Sequence, residues 1–245
     1  YSLISISLAL AGFGAWALLL GHVAQVSIMC LGRCWFYPPI FNLRIDRDSM
    51  RSLIGFGGPL SVGQILNRAA TEIDYVVVGR TLGADALGYY SRAYQIMAMQ
   101  AKQMTTALSN VLFPALARIQ EEPERLRTAY RRSLTVSILP LAIGSVFAWV
   151  LGSYIVLLLL GPEWTAAIVP FQWLAVSMIP RGANRVNGAL LKARGHVVAF
   201  SVLQAVYLVG VALFAWVGSR YGIEGVSIAV AIIIWVHFLT VTLVT

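Results

Sequence analysis

The sequence predicts an all-α, polytopic transmembrane helical bundle, and three observations predict it. Of the 245 residues 59% are apolar and 11% charged, with a mean hydropathy of +0.78, whereas soluble domains carry about 25% charged residues. The apolar residues gather in stretches of roughly 20, each about 30 Å long as helix and so matched to the hydrocarbon core of a bilayer. Lipid admits only structures that satisfy their own backbone hydrogen bonds, and the alternating segments of a membrane barrel do not occur in this sequence.

The opening run, residues 1 to 31, contains no Asp, Glu, Lys or Arg. As one helix it would extend about 45 Å, too far for a single span, so a break is expected at Gly12-Phe13-Gly14. Residues 1–11 then read as the tail of a span whose beginning is absent, and the chain as a piece of a longer one. A cleaved leader, with its basic start and short apolar run, does not match this opening. Seven spans follow, over 14–33, 52–79, 87–114, 134–160, 165–190, 196–217 and 222–245. The turns "LGPEW" (160–164) and "RYGIEG" (220–225) are short and glycine-marked, as tight antiparallel hairpins require. Pro140, Pro170 and Pro180 fall inside predicted spans, where proline permits a kink.

A formal charge of +8 would point to nucleic acid in a soluble protein, but here its distribution marks topology. Arg33, Arg44, Arg47 and Arg51 form one basic cluster, Arg118, Arg125, Arg127, Arg131 and Arg132 a second, and Arg181, Arg185, Lys192 and Arg194 a third. The alternate connections hold only Arg80 and Arg220, so the clusters are placed in the cytoplasm. Among them the segment "ARIQEEPERLRTAYRRS" (117–133) reads as a solvated surface helix with i,i+3 and i,i+4 ion pairs. Cys30 and Cys34 read as packing residues, since a reducing compartment disfavours a disulfide and no further metal ligands lie nearby. His22 and His237, each alone on an apolar span, read as packed side chains rather than proton relays. The stretches 12–28 and 221–238 echo each other, a glycine turn running into an apolar span, as two related bundles would.

Two spans break the apolar rule. At 100° per residue Gln64, Asn67, Arg68, Thr71, Glu72 and Tyr75 share one arc of their helix, with Asp74 at its edge. The next span repeats the pattern with Arg92, Gln95, Gln103, Thr106 and Asn110 on one side, flanked by Gln100 and Lys102. A charge at mid-bilayer costs at least about 2.5–3.5 kcal/mol, so such residues face a bundle interior or a water-filled cavity. One reading makes them buried ion pairs that tie helices together, Arg68 with Glu72 at i,i+4. The other makes both helices walls of a hydrated cavity whose Arg68, Arg92 and Lys102 attract an anion.

The stretch "FGGPLSVGQILNRAATEIDYVVVGRTLGADALGYYSRAYQI" (56–96), continuing into "NVLFPALARIQ" (110–120), resembles the Wzx-type polysaccharide flippases of the multidrug/oligosaccharidyl-lipid/polysaccharide (MOP) superfamily. Asp74 followed by "VVVGRTLGADALGYYSRAY" is similar to the branch that exports colanic and teichuronic acids, supported by "LRTAYRRSL" (126–134), "LLGPEWTAA" (159–167) and "LKARG" (191–195). The resemblance implies a MATE-like transporter of two six-helix lobes that alternate access to a central cavity. Residues 1–33 would then end the first lobe, 34–51 form a cytoplasmic linker and 52–245 the whole second lobe. Gln64, Asn67, Arg68, Glu72, Asp74, Arg92, Gln95, Lys102, Gln103 and Asn110 would line the substrate cavity. Many relatives carry proline near the position of Gln100, a departure that alters how that helix bends.

The implied activity is translocation of undecaprenyl-pyrophosphate-linked oligosaccharide repeat units across the bacterial inner membrane. Its expected partners are the lipid-linked oligosaccharide, membrane lipids and other polysaccharide-assembly proteins, with no nucleic acid, no metal and no cofactor. Two alternatives stand beside it. A cation-coupled drug exporter of the same superfamily would favour carboxylates in the cavity, where here three bases outnumber two acids. A membrane enzyme of polysaccharide assembly, a polymerase or ligase, would need clustered polar residues on an outer loop. The outward turns offer only Asp85, Glu163 and Glu224, with no HExxH, GxSxG or GxxxxGK[ST] pattern.

Overall fold

A computed structural model describes residues 2–10, 12, 14, 16–36, 47–119 and 122–244, with the side chains of 102–118 among those outside the description. The chain divides into two compact units, Tyr1–Ser49 and Met50–Thr245.

In the first unit α1 (Ser2–Leu10) and α2 (Trp16–Phe36) form a hairpin. Gly12 and Gly14 turn the chain between them with φ of +86° and +51°, values that an L side chain adopts only under strain. The break falls where the length of the apolar run requires it. Cys30 and Cys34 are exposed free thiols on α2, which corrects their reading as packed residues. Arg44 lies outside the described residues.

The second unit contains α3 (Arg47–Ala70), α4 (Ile73–Thr81), α5 (Ala84–Arg118), α6 (Pro123–Val150), α7 (Gly152–Leu160), α8 (Ile168–Val176), α9 (Met178–Ala193), α10 (Val197–Gly218) and α11 (Gly222–Val244). Three expected spans are each made of two helices: α3 with α4, α6 with α7, and α8 with α9. By length and composition Glu124–Val150 and Val197–Val244 are apolar enough to cross a membrane, the latter being α10 and α11 folded back on each other. The outer turns carry the backbone that only glycine adopts freely, with φ of +98° at Gly161 and +74° at Gly222.

Proline does not make the interruptions. Pro170 and Pro180 each occupy the third residue of α8 and α9, where the missing N–H has no intrahelical partner to lose. Pro140 lies inside α6, which continues past it to Val150.

The core is apolar and central. Tyr90, Met97, Leu141, Val156, Phe171, Leu174, Met178 and Ile234 are buried, joining α5, α6, α7, α8, α9 and α11. A smaller cluster of Leu126, Val186, Ala189 and Leu190 fastens α6 to the far end of α9, and there Tyr130 donates to Asn187 Oδ1 at 2.9 Å. His237 is buried and stacks on Tyr207 with centroids 4.3 Å apart. His22, by contrast, is exposed.

Candidate functional site

Two helix interruptions, at Thr71-Glu72 and Ser177, lie beside the site, and at each a side-chain hydroxyl bonds the backbone. Thr71 donates its Oγ1 proton to the Arg68 carbonyl at 2.7 Å. The Thr71 N–H is shared between the Asn67 and Arg68 carbonyls, and the Glu72 N–H donates to the Ala69 carbonyl three residues back, at 3.1 Å each. A hydroxyl that bonds its own backbone offers an alternative to the helical ladder, and α3 stops there. On the other side Ser177 donates to the Leu174 carbonyl at 2.6 Å, ending α8, and α9 starts at the next residue.

The interruption at Ser177 positions Arg181. Its Nε donates to Ser177 Oγ at 3.2 Å and its Nη1 to the Tyr94 hydroxyl at 2.7 Å, while the guanidinium carbon lies 4.9 Å from the Tyr94 ring centroid. Arg181 comes twelve residues before the end of α9 at Ala193, about 18 Å of helix inward. It is therefore a side chain of a helix rather than of a loop, as is Arg185 one turn on, so neither lies in the connection where the tally of basic residues put it.

Between these elements lies a cavity of about 220 Å³, lined by Arg68, Thr71, Glu72, Tyr75, Tyr94, Met97, Ala98, Ala101, Leu141, Arg181, Gly182 and Arg185. Three guanidiniums and one carboxylate contribute to the lining, and Glu72 is 2.8 Å from Arg68. That contact offsets one of the three positive charges. Planar guanidiniums bind phosphate or carboxylate oxygens in a bidentate fork, so the arrangement suits an anion.

The expected site residues divide into three groups. Arg68 and Glu72 line this cavity. Asp74, Gln64, Asn67, Arg92 and Gln95 are not among the side chains that line this cavity. Asp74 is 1% exposed; its Oδ2 accepts the Tyr90 hydroxyl at 2.7 Å and its Oδ1 the Tyr75 N–H at 3.0 Å. That carboxylate is sealed between α4 and α5 because a buried charge demands donors. Asn67 donates to Gln204 Oε1 at 2.9 Å, tying α3 to α10. Arg92 donates to Gln95 Oε1 at 3.0 Å on the exposed side of α5. The side chains of Lys102, Gln103 and Asn110 lie outside the described residues.

Sequence reasoning missed Arg181, Arg185 and Tyr94 as cavity residues. The signal was there in part: Arg181, Arg185 and Lys192 fall within 40° on a 100° wheel, and this face is opposite buried Ala183, Val186 and Leu190. A tally of basic residues by loop hid it. A second and larger cavity of about 580 Å³ lies between α10 and α11, lined by apolar side chains and Glu224. It offers an anion nothing.

Comparison with known proteins places this geometry. Residues 1–170 match the family model described as "Polysaccharide biosynthesis protein". The chain is 30% identical over 210 residues to the teichuronic acid biosynthesis protein TuaB of Bacillus subtilis, covering 84% of this chain and 42% of that one. It is 28% identical over 184 residues to the lipopolysaccharide biosynthesis protein WzxC of Escherichia coli, covering 73% and 37%. The succinoglycan biosynthesis transport protein ExoT of Rhizobium meliloti is 30% identical over 178 residues, covering 72% and 36%. The chain thus spans less than half the length of each of these three relatives. Among solved structures it matches MATE in complex with MaL6, with a TM-score of 0.76 at 18% identity over 95% of this chain and 56% of that one. A MOP superfamily transporter from Pyrococcus furiosus matches with a TM-score of 0.74 at 17% identity, covering 94% and 54%. These likenesses establish the fold as a MATE-like helical bundle.

Proposed function

The chain belongs to the polysaccharide biosynthesis protein family, a family of Wzx-type MOP transporters, and from that membership we propose that it is part of a flippase for lipid-linked oligosaccharide. It is a multi-pass membrane protein, and its working place is the bacterial inner membrane. The passenger is a repeat unit on a pyrophosphoryl polyprenol carrier, moved from the cytoplasmic to the outer leaflet.

The observation that supports this reading is the cavity lined from α3, α5 and α9, whose polar lining includes Arg68, Arg181, Arg185 and the carboxylate of Glu72. A pyrophosphate in bare hydrocarbon would cost more than the roughly 2.5–3.5 kcal/mol that a single side-chain charge costs there. Guanidiniums along the route replace the water it loses, while the polyprenyl tail stays in lipid. Residues 1–33 would close the first lobe and 52–245 form the second. The exposed polar face of α3 and α5, with Gln64, Arg92 and Gln95, would then border the aqueous path. No bond is made or broken, so the protein would act as a transporter rather than an enzyme, with other assembly proteins supplying and consuming the glycolipid.

The test is reconstitution of the full-length protein in liposomes with a fluorescent pyrophosphoryl-polyprenol sugar, scoring how much label becomes accessible in the opposite leaflet. Transfer above protein-free vesicles is expected. Transport of a cationic dye with no transfer of the glycolipid would overturn the reading in favour of a drug exporter.

A further inference from the structure

We propose that the groove between the outer halves of α10 and α11 holds one phospholipid whose head group carries a primary ammonium. The ammonium would meet Glu224, the phosphate would lie beside Arg220 and an acyl chain would follow the groove. The proposal is independent of the flippase reading, since it concerns the apolar hairpin and not the arginine-lined cavity. Three observations carry it.

The first is the groove itself. Gly218 and Gly225 approach so closely that a Cβ on the first would meet the carbonyl oxygen of the second at 2.6 Å, and these two, with Ala229, line the space without filling it. Larger residues stand on either side. Leu213 and Val217 of α10 and Ile232 of α11 line the groove while remaining exposed, as side chains do that face acyl chains rather than protein. The space of about 580 Å³ is within the range of about 300–1,000 Å³ that ligand clefts span.

The second is depth. The groove begins at Tyr221 and Glu224 and ends at Leu213 and Ile232, although α10 and α11 continue to Val197 and Val244. From Glu224 to Ile232 is about 12 Å of helix, against roughly 15 Å for one leaflet's share of the hydrocarbon core. The groove is thus as deep as a single leaflet. A helix from a second copy would cross both leaflets and find the groove closed halfway, whereas one acyl chain ends where the groove ends.

The third is charge at the mouth. The charged side chain in the lining is Glu224, which favours a cationic head group over an anionic one. Its place in the first turn of α11 suits the helix dipole, but the dipole does not require that it open onto an apolar groove. Arg220 comes between the groove residues Gly218 and Tyr221 in the chain, and its guanidinium carbon lies 5.1 Å from the Trp216 ring centroid. Stacking of that kind leaves the N–H donors at the guanidinium edge open. Neither Arg220 nor Glu224 forms a salt bridge with a described residue. A cation and an anion at one end of an apolar groove match a zwitterion, with phosphate on the guanidinium fork and ammonium on the carboxylate. Trp216 and Tyr221, both exposed, set that mouth at the interfacial level such rings prefer.

The experiment is native mass spectrometry of the full-length protein in detergent, titrated with phosphatidylethanolamine, phosphatidylglycerol and phosphatidylcholine of identical acyl chains, and it reads the Kd of the first lipid bound. Phosphatidylethanolamine is expected to bind tightest. Glu224→Gln should weaken it by about 10-fold, the loss of one charge-assisted hydrogen bond, and leave phosphatidylglycerol no weaker. Arg220→Ala removes the partner of a phosphate that all three lipids share, so it should weaken each alike and keep their order. Ala229→Phe fills the groove and should abolish the site. Melting temperatures are measured alongside, and Glu224→Gln, at an exposed position, keeps the test decisive if Ala229→Phe does not fold. Phosphatidylglycerol binding more tightly than phosphatidylethanolamine, phosphatidylcholine matching it, or an unchanged preference in Glu224→Gln would each overturn the proposal. So would a dimer that is lost in Ala229→Phe with no lipid retained, which would give the groove to a second copy. Glycolipid transfer by a parent protein without the lipid preference would sink the site and leave the flippase reading standing.

Discussion

The α10–α11 hairpin and the α3–α4–α5 face are built on opposite rules. In the hairpin both helices run uninterrupted, over 22 and 23 residues, and contact is set by shape. Gly218 lies so close to α11 that a Cβ there would meet the Gly225 carbonyl oxygen at 2.6 Å, the small-residue approach by which membrane helices gain van der Waals contact. Across the α3–α4–α5 face hydroxyls interrupt a helix, a carboxylate is capped by a tyrosine, and arginines pair with neighbours. The lesson is that apolar spans are held by fit, which tolerates no added volume, and polar spans by partners, which tolerate no deletion.

Breaking the fit should have the largest effect. Gly218→Leu forces a side chain into the Gly225 backbone, and overpacking of that kind costs about 1–3 kcal/mol or more. Thermal unfolding in detergent should show the greatest drop of the substitutions considered, and a melting temperature equal to wild type would break the contrast. Next comes a deleted partner. Tyr90→Phe leaves the buried Asp74 Oδ2 without its 2.7 Å donor, a loss of about 1–3 kcal/mol. Adding Asp74→Asn to Tyr90→Phe should recover part of it, because the uncompensated charge is then gone; no recovery in the double variant would deny that Tyr90 serves the carboxylate.

A smaller effect is expected where the polar tie is half-exposed. Asn67→Ala removes the 2.9 Å bond to Gln204 that links α3 to α10 and should cost about 1 kcal/mol. Disulfide trapping of cysteines placed at these two positions would check the contact, since failure to cross-link places them apart. The smallest stability effects belong to Arg68→Ala and Arg92→Ala. Exposed pairs like Arg68–Glu72 contribute about 0.2–0.5 kcal/mol when spaced i,i+4. Melting temperatures should hardly move in either variant. Glycolipid transfer sharpens the comparison: Arg68→Ala, at the cavity, should slow it more than Arg92→Ala, whose side chain does not line that space. Equal losses would place both on the path.

The same contrast governs what was legible in sequence. Apolar run length is a local property set by bilayer thickness, so the all-α class, the hairpin of α10 and α11 and the glycine turns at Gly161 and Gly222 followed from the chain alone. So did the existence of a polar face, since a charge cannot sit on a lipid-facing wall without cost. The partners did not follow. Asp74 and Arg68 look alike on a helical wheel, yet one is sealed by Tyr90, sixteen residues away, and the other opens to the cavity.

Arg181 shows the limit most clearly. By charge it belonged with the cytoplasmic arginines, and only the helix interruption at Ser177 and the arrival of Tyr94 from α5, 87 residues distant in the chain, make it a cavity residue. Sequence by itself determined that this protein is a bundle of membrane helices with charge to hide, because hydropathy and helix rise act residue by residue. Tertiary structure alone decided which charges meet each other and which border the cavity. That choice depends on distances between helices that no single helix encodes.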